Sequence, residues 1–87
     1  QIRAGHRMSL QYHENKEETL YVMSGLLIVW ESEDDEKWIS LNPGDIYHVK
    51  PGQIHRFGAD ATCDTMLMEV STNFLDDVFR IKDDYER

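Results

Sequence analysis

Apolar and polar residues alternate along most of this chain, in runs too short for helices. Arg7-Met8-Ser9-Leu10-Gln11-Tyr12-His13 changes character at nearly every step. As a strand it places Arg7, Ser9, Gln11 and His13 on one face and Met8, Leu10 and Tyr12 on the other. A helix would separate Gln11 and His13 by about 200°. Thr19 to Ser24, Leu26 to Glu31, Lys37 to Leu41, Ile46 to Val49, His55 to Phe57 and Thr65 to Val70 are further strand-like runs. Gly25, Asn42-Pro43-Gly44-Asp45 and Lys50-Pro51-Gly52-Gln53 read as turns. The acidic run Glu31 to Glu36 reads as a solvated hairpin tip. From Asn73 onward Phe74, Leu75, Val78 and Phe79 recur near helical spacing, which predicts a short helical or irregular tail. The expected fold is all-β: one domain over residues 1–87, built as a small barrel or sandwich of about seven strands.

Size sharpens this picture. An 87-residue chain buries only about 60 to 65 per cent of its unfolded surface, so closure, a metal or a partner subunit is expected to add stability. Seventeen acidic residues against nine basic ones give a net charge of -8. That argues against nucleic acid and anionic membranes as partners. No apolar run approaches a membrane span. Cys63 is the single cysteine, which excludes an intrachain disulfide and points to a reducing, cytoplasmic setting. The chain starts at Gln1 rather than Met, so a leader is expected to precede it.

Candidate chemistry lies in the glycine-framed patterns Gly5-x5-Gln11-x-His13-x4-Glu18-x6-Gly25 and Gly44-x5-Lys50-Pro51-Gly52-x2-His55. Gln11 and His13 supply two donors from one strand, Glu18 a third at the start of the next, and His55 a fourth after the Pro51-Gly52 turn. Two nitrogens and two oxygens with one negative charge suit Zn first, with Mn, Fe, Co or Ni as alternatives, better than Ca or Mg. Such a set leaves positions open for water or substrate. His6 reads as a surface or supporting residue.

These residues resemble the two signature motifs of the cupins, jelly-roll (double-stranded β-helix) barrels that typically bind one metal in the barrel mouth. Gln11 stands where the commonest first motif has His, and Lys50 where the second usually has proline. A narrower resemblance covers nearly the whole chain. Met8-Ser9-Leu10-Gln11-Tyr12-His13 and the tail from Leu75 to Arg87 resemble the C-terminal cupin of type II phosphomannose isomerases, where Ser-Leu-Gln-x-His opens the metal site. That family's closing Arg-x-x-Asp-x-Tyr-Gly-Arg is matched by Arg80, Asp83, Tyr85 and Arg87, with Glu86 in place of glycine. The family's nucleotidyltransferase domain is not within this sequence, so sugar-nucleotide synthesis is not expected of it.

The resemblance implies aldose–ketose isomerisation of a sugar or sugar phosphate, with Arg80 as the catalytic arginine. A phosphate dianion facing a chain of this charge needs basic residues gathered at the mouth, for which Arg7, Arg56 and Arg87 are the candidates. Lys16, Glu17 and His48 are candidates for the base. A non-catalytic cupin binding a sugar or other small polar ligand is an alternative. A metal-dependent cupin dioxygenase is another, disfavoured by Gln11. Met8, Leu10, Tyr12, Tyr21 and Met23 offer apolar area away from the donors, from which a homodimer is expected.

Overall fold

A computed structural model describes residues 1–72 and 77–85. Among them there are eight strands and no helix: β1 (Leu10–Tyr12), β2 (Glu18–Ser24), β3 (Leu27–Trp30), β4 (Trp38–Leu41), β5 (Ile46–Val49), β6 (Arg56–Ala59), β7 (Met66–Ser71) and β8 (Phe79–Lys82). No helix is long and apolar enough to cross a membrane. Two three-stranded antiparallel sheets, β5-β2-β7 and β4-β3-β6, are accompanied by a two-stranded pair, β1-β8. Bridges at Arg7↔Gly58 and Gln11↔His55 tie the N-terminal segment to β6.

Period-two patterning places the core. Leu20 and Val22 of β2, Leu27 and Val29 of β3, Val49 of β5 and Phe57 and Ala59 of β6 meet between the sheets, with Ile2 beside them. Leu20 is 2% exposed. Leu20→Ala is therefore expected to cost about 2–5 kcal/mol. Denaturant unfolding measures this; a loss below about 1 kcal/mol would contradict the assigned core.

Two sequence expectations change. Val78 and Phe79 belong to no helix: Phe79–Lys82 is a strand paired with β1. The open edge of β1 supplies the hydrogen bonds that local spacing could not foretell. Phe74 and Leu75 lie outside the described residues. The clean alternation of the first strand also breaks. A register irregularity between Leu10 and Gln11 accompanies burial of Leu10 to 1% exposure beside buried Ser9, Gln11 and His13. Leu10 is thus withdrawn from the expected outer apolar face, and Tyr12 is covered by the stacked ring of Phe79.

Candidate metal centre

The β1–β6 bridge brings the first donors together. Gln11 and His55 exchange both backbone hydrogen bonds, at 3.0 and 2.9 Å. His13 follows β1 immediately, and Glu18 opens β2. The intervening loop is wrapped around Asp77, whose carboxylate accepts the backbone N–H groups of Glu14, Asn15 and Lys16 at 3.0, 2.7 and 2.9 Å. Desolvation works to raise the Asp77 carboxyl, but these donors and His13 outweigh it and hold it below its usual range. A residue distant in sequence therefore sets the path from His13 to Glu18.

Both histidines are fixed through Nδ1. His13 Nδ1 meets the Asp77 carbonyl and His55 Nδ1 the Gln53 carbonyl. A carbonyl only accepts, so each Nδ1 carries the hydrogen and each Nε2 keeps its lone pair. Those two Nε2 atoms are buried and have no hydrogen-bond partner among the described residues. One donor atom from each of His13, Glu18 and His55 lies within 4.8 Å of the others. His13 Nε2 is 2.5 Å from Glu18 Oε1, outside the directions a hydrogen bond requires. Leaving a buried polar atom unsatisfied costs about 1–3 kcal/mol. Two bare imidazole lone pairs aimed at a carboxylate fit a divalent cation, with positions left over for water or ligand.

The electrostatics agree. Burial holds the His55 pKa below the ordinary imidazole value, keeping it in the neutral form a ligand requires. Burial also works to raise Glu18, but a hydrogen bond from Glu69 and the charge of Lys16 lead the effects that outweigh it and keep Glu18 below the usual carboxylate range. Glu69, paired with Leu20 across β2–β7, is pushed up to about 7 by its bond to Glu18, by burial and by the Glu18 charge. Lys16 Nζ lies 3.7 Å from Glu18 Oε1.

The other predicted residues are placed differently. Gln11 is buried next to His55, with Oε1 accepting from Ser9 Oγ at 2.7 Å. Arg80 is exposed, in register with Gln11, and lines a groove with Ile81, Lys82, Asp83 and Asp84. Arg7 and Arg56 are not brought to the donors. Phe57 and Ala59 point into the core, so the alternate residues Arg56 and Gly58 face outward. Arg56 is fully buried there, donating to the Lys82 carbonyl and lying 3.9 and 3.7 Å from Asp35 and Asp84. Arg7 pairs with the same two aspartates and covers the Trp30 ring. Arg87 lies outside the described residues. His48 points outward, bonded to Thr19 and Glu17, which removes His48 and Glu17 from the donor cluster. His6 is exposed against the edge of Tyr85.

Sequence reading passed over three contributors: Asp77, Glu69 and the Gln53 carbonyl. Strand parity offered a signal for Glu69, a charged residue on an inward position of β7. Nothing local marks Asp77 or a backbone carbonyl.

Similar proteins share the fold. Over 83 residues the chain is 32% identical to quercetin 2,3-dioxygenase of Bacillus subtilis, covering 94% of this chain and 24% of that protein. A cupin-like protein from Thermotoga maritima superposes with a TM-score of 0.79 at 20% identity, over 94% of this chain and 60% of that one. A sugar phosphate isomerase from a cupin superfamily, from Silicibacter pomeroyi, superposes with a TM-score of 0.67 at 26% identity, over 83% and 46% of the two chains. The chain thus spans about a quarter of the curated relative and about half of these solved structures. The Cupin domain family model matches residues 1–71, and the chain belongs to the cupin domain family.

Proposed function

We propose that this chain is a metal-dependent aldose–ketose isomerase acting on a sugar or sugar phosphate, mannose 6-phosphate to fructose 6-phosphate or a relative. The observation that carries the reading is the buried cluster of His13, Glu18 and His55, one donor atom of each within 4.8 Å of the others, with both Nε2 atoms lacking a hydrogen-bond partner among the described residues. The Silicibacter neighbour, itself a sugar phosphate isomerase, supports the reaction class. In this reading His13, Glu18 and His55 hold one divalent ion, Zn by preference, and Gln11 supplies a fourth donor once its amide turns from Ser9. The ion supplies Lewis-acid stabilisation of negative charge on a sugar oxygen. Asp77 and the Gln53 carbonyl keep the histidines aimed. Lys16 stands beside Glu18 to meet an anionic oxygen of the sugar. Arg80 contacts the substrate, and Arg87 belongs to the same proposal. Arg7 and Arg56 take no part, because both are committed to Asp35 and Asp84.

Closure of the sheets into a jelly-roll barrel, a cytoplasmic setting and a homodimer complete the reading. The dimer is supported by Tyr21, Met23, Ile46, Met66, Met68 and Val70, all exposed on β2, β5 and β7. The specific likeness to phosphomannose isomerases remains part of the proposal, resting on the Gln11 motif and the Arg80, Asp83, Tyr85 pattern.

A metal-dependent dioxygenase is a second reading, favoured by the 32% identity to the Bacillus protein. One assay separates them. Protein loaded in turn with Zn, Mn and Fe(II) is followed by NMR on a panel of aldoses, ketoses and their phosphates, and by oxygen uptake with a flavonol. Isomerisation without oxygen uptake is expected. Oxygen uptake with Fe(II) and no isomerisation would replace the first reading by the second.

A further inference from the structure

The groove beside β3 and β4 has the chemistry of a subsite for a neutral, polyhydroxylated ligand. Its volume is about 420 Å³, and Val29, Glu31, Ser32, Lys37 and Ile39 are among the residues that line it. Val29 and Ile39 are paired across the ladder. Val29 is fully buried in the core, yet Ile39 opposite it is 43% exposed, so the inner face of edge strand β4 opens to solvent. Glu31 and Lys37 lie one step beyond the Trp30↔Trp38 pair and therefore share this inner face.

The groove is tied to the metal centre by position and by hydrogen bonds. The last β3–β6 pair is Trp30↔Arg56, so Glu31 and His55 are the next residues on their two strands. The Glu31 carboxylate accepts from the Tyr47 hydroxyl and from the Gln53 amide, and that amide also donates to the Tyr47 oxygen at 2.9 Å. Gln53 in turn holds His55 by its carbonyl. Tyr47 packs on the core and against Phe57, whose ring neighbours His55. Burial and the bond to Glu31 raise the Tyr47 hydroxyl far above its usual range, so it acts as a donor and not as an anion.

We infer that the ligand's hydroxyl-bearing chain runs from the metal centre into this groove, bound as a neutral polyol and not through a phosphate. Ile39, backed by Val29, offers an apolar floor for the C–H face of a sugar. Glu31 and Ser32 accept from its hydroxyls, and Lys37 and Ser32 donate to them. A phosphate dianion here would confront Glu31 and Glu36 against the single ammonium of Lys37. The inference rests on reading the centre as a metal site for a sugar, and it narrows that reading to the unphosphorylated member of each pair.

The test titrates Zn-loaded protein with D-mannose, D-fructose and their 6-phosphates by calorimetry, with Trp38 fluorescence as a local reporter. Free sugars are expected to bind more tightly than their phosphates. Ile39→Trp, which fills the groove, and Glu31→Ala should each weaken sugar binding at least about tenfold, with Zn content unchanged in Ile39→Trp. Glu31→Gln, which keeps an acceptor oxygen, should retain more binding than Glu31→Ala. Tighter binding of the phosphates, no binding of either form, or sugar affinity indifferent to Ile39→Trp would overturn the subsite. Turnover is measured separately. Phosphate isomerisation untouched by Ile39→Trp removes the groove and leaves the isomerase. Groove-dependent sugar binding without turnover does the reverse.

Discussion

Replacing His13 or His55 with alanine is expected to lower divalent-metal affinity by about two to four orders of magnitude, with each order worth about 1.4 kcal/mol. The effect is large because each Nε2 is buried, unpartnered and already in the tautomer a ligand needs. His55→Ala removes one of two nitrogen donors and leaves a cavity that water fills without the same directionality. His48→Ala provides the comparison: that imidazole points outward to Thr19 and Glu17, and its loss should leave metal affinity within about twofold. Calorimetric titration with Zn and Mn measures both. Equal affinity in the His55→Ala and His48→Ala proteins would dissolve the centre. Asp77→Ala is expected to fall between them, at about 10- to 100-fold, as for residues that orient ligands.

The second large effect concerns the scaffold. Gly25 lies between β2 and β3 at φ 86°, a left-handed conformation that residues with a Cβ rarely adopt. Space forbids one as well: a Cβ at this position would lie 2.3 Å from the Asp64 carbonyl oxygen and 2.8 Å from the Thr65 Cα. Thr65 cannot withdraw without loss, because its hydroxyl both accepts from Leu26 N and donates to the Leu26 carbonyl. Strained conformation and backbone clash together predict that Gly25→Ala costs about 2–4 kcal/mol. For a chain of this length that corresponds to a fall in Tm of about 8–32 °C, at roughly 4–8 °C per kcal/mol. Gly44, also at positive φ but with nothing within 4 Å of a Cβ, should tolerate alanine at about 1 kcal/mol. A thermal melt of the two variants checks the difference, and equal Tm values would contradict the packing at Gly25.

The strands were legible because alternation, glycine turns and the two prolines are local signals. Thr19 to Ser24 and Ile46 to Val49 became β2 and β5 almost residue for residue. His13, Glu18 and His55 were legible for the same reason: their spacing delivers them to neighbouring strand ends, where the structure brings their donor atoms together. What failed depended on partners remote in sequence. Phe79–Lys82 pairs with β1, some seventy residues earlier, and an unpaired edge decides its conformation more than its own spacing does. Arg56 was expected at the mouth. The inward positions of Phe57 and Ala59 turn it outward instead, where Asp84 and the Lys82 carbonyl receive it. Arg7, placed by parity on the Gln11 and His13 face, is captured by Asp84, Asp35 and Trp30. Carboxylates too far away in sequence to read as partners thus redirected both cations.

The central claim is that His13, Glu18 and His55 hold one divalent ion. X-ray absorption on the dialysed, Zn-loaded chain tests it most directly. One ion per chain is predicted, with a nitrogen and oxygen shell at about 2.0–2.1 Å and the multiple-scattering signature of two imidazoles. A sulfur shell at about 2.3 Å, as Cys63 would give, or an oxygen-only shell without imidazole scattering would contradict it.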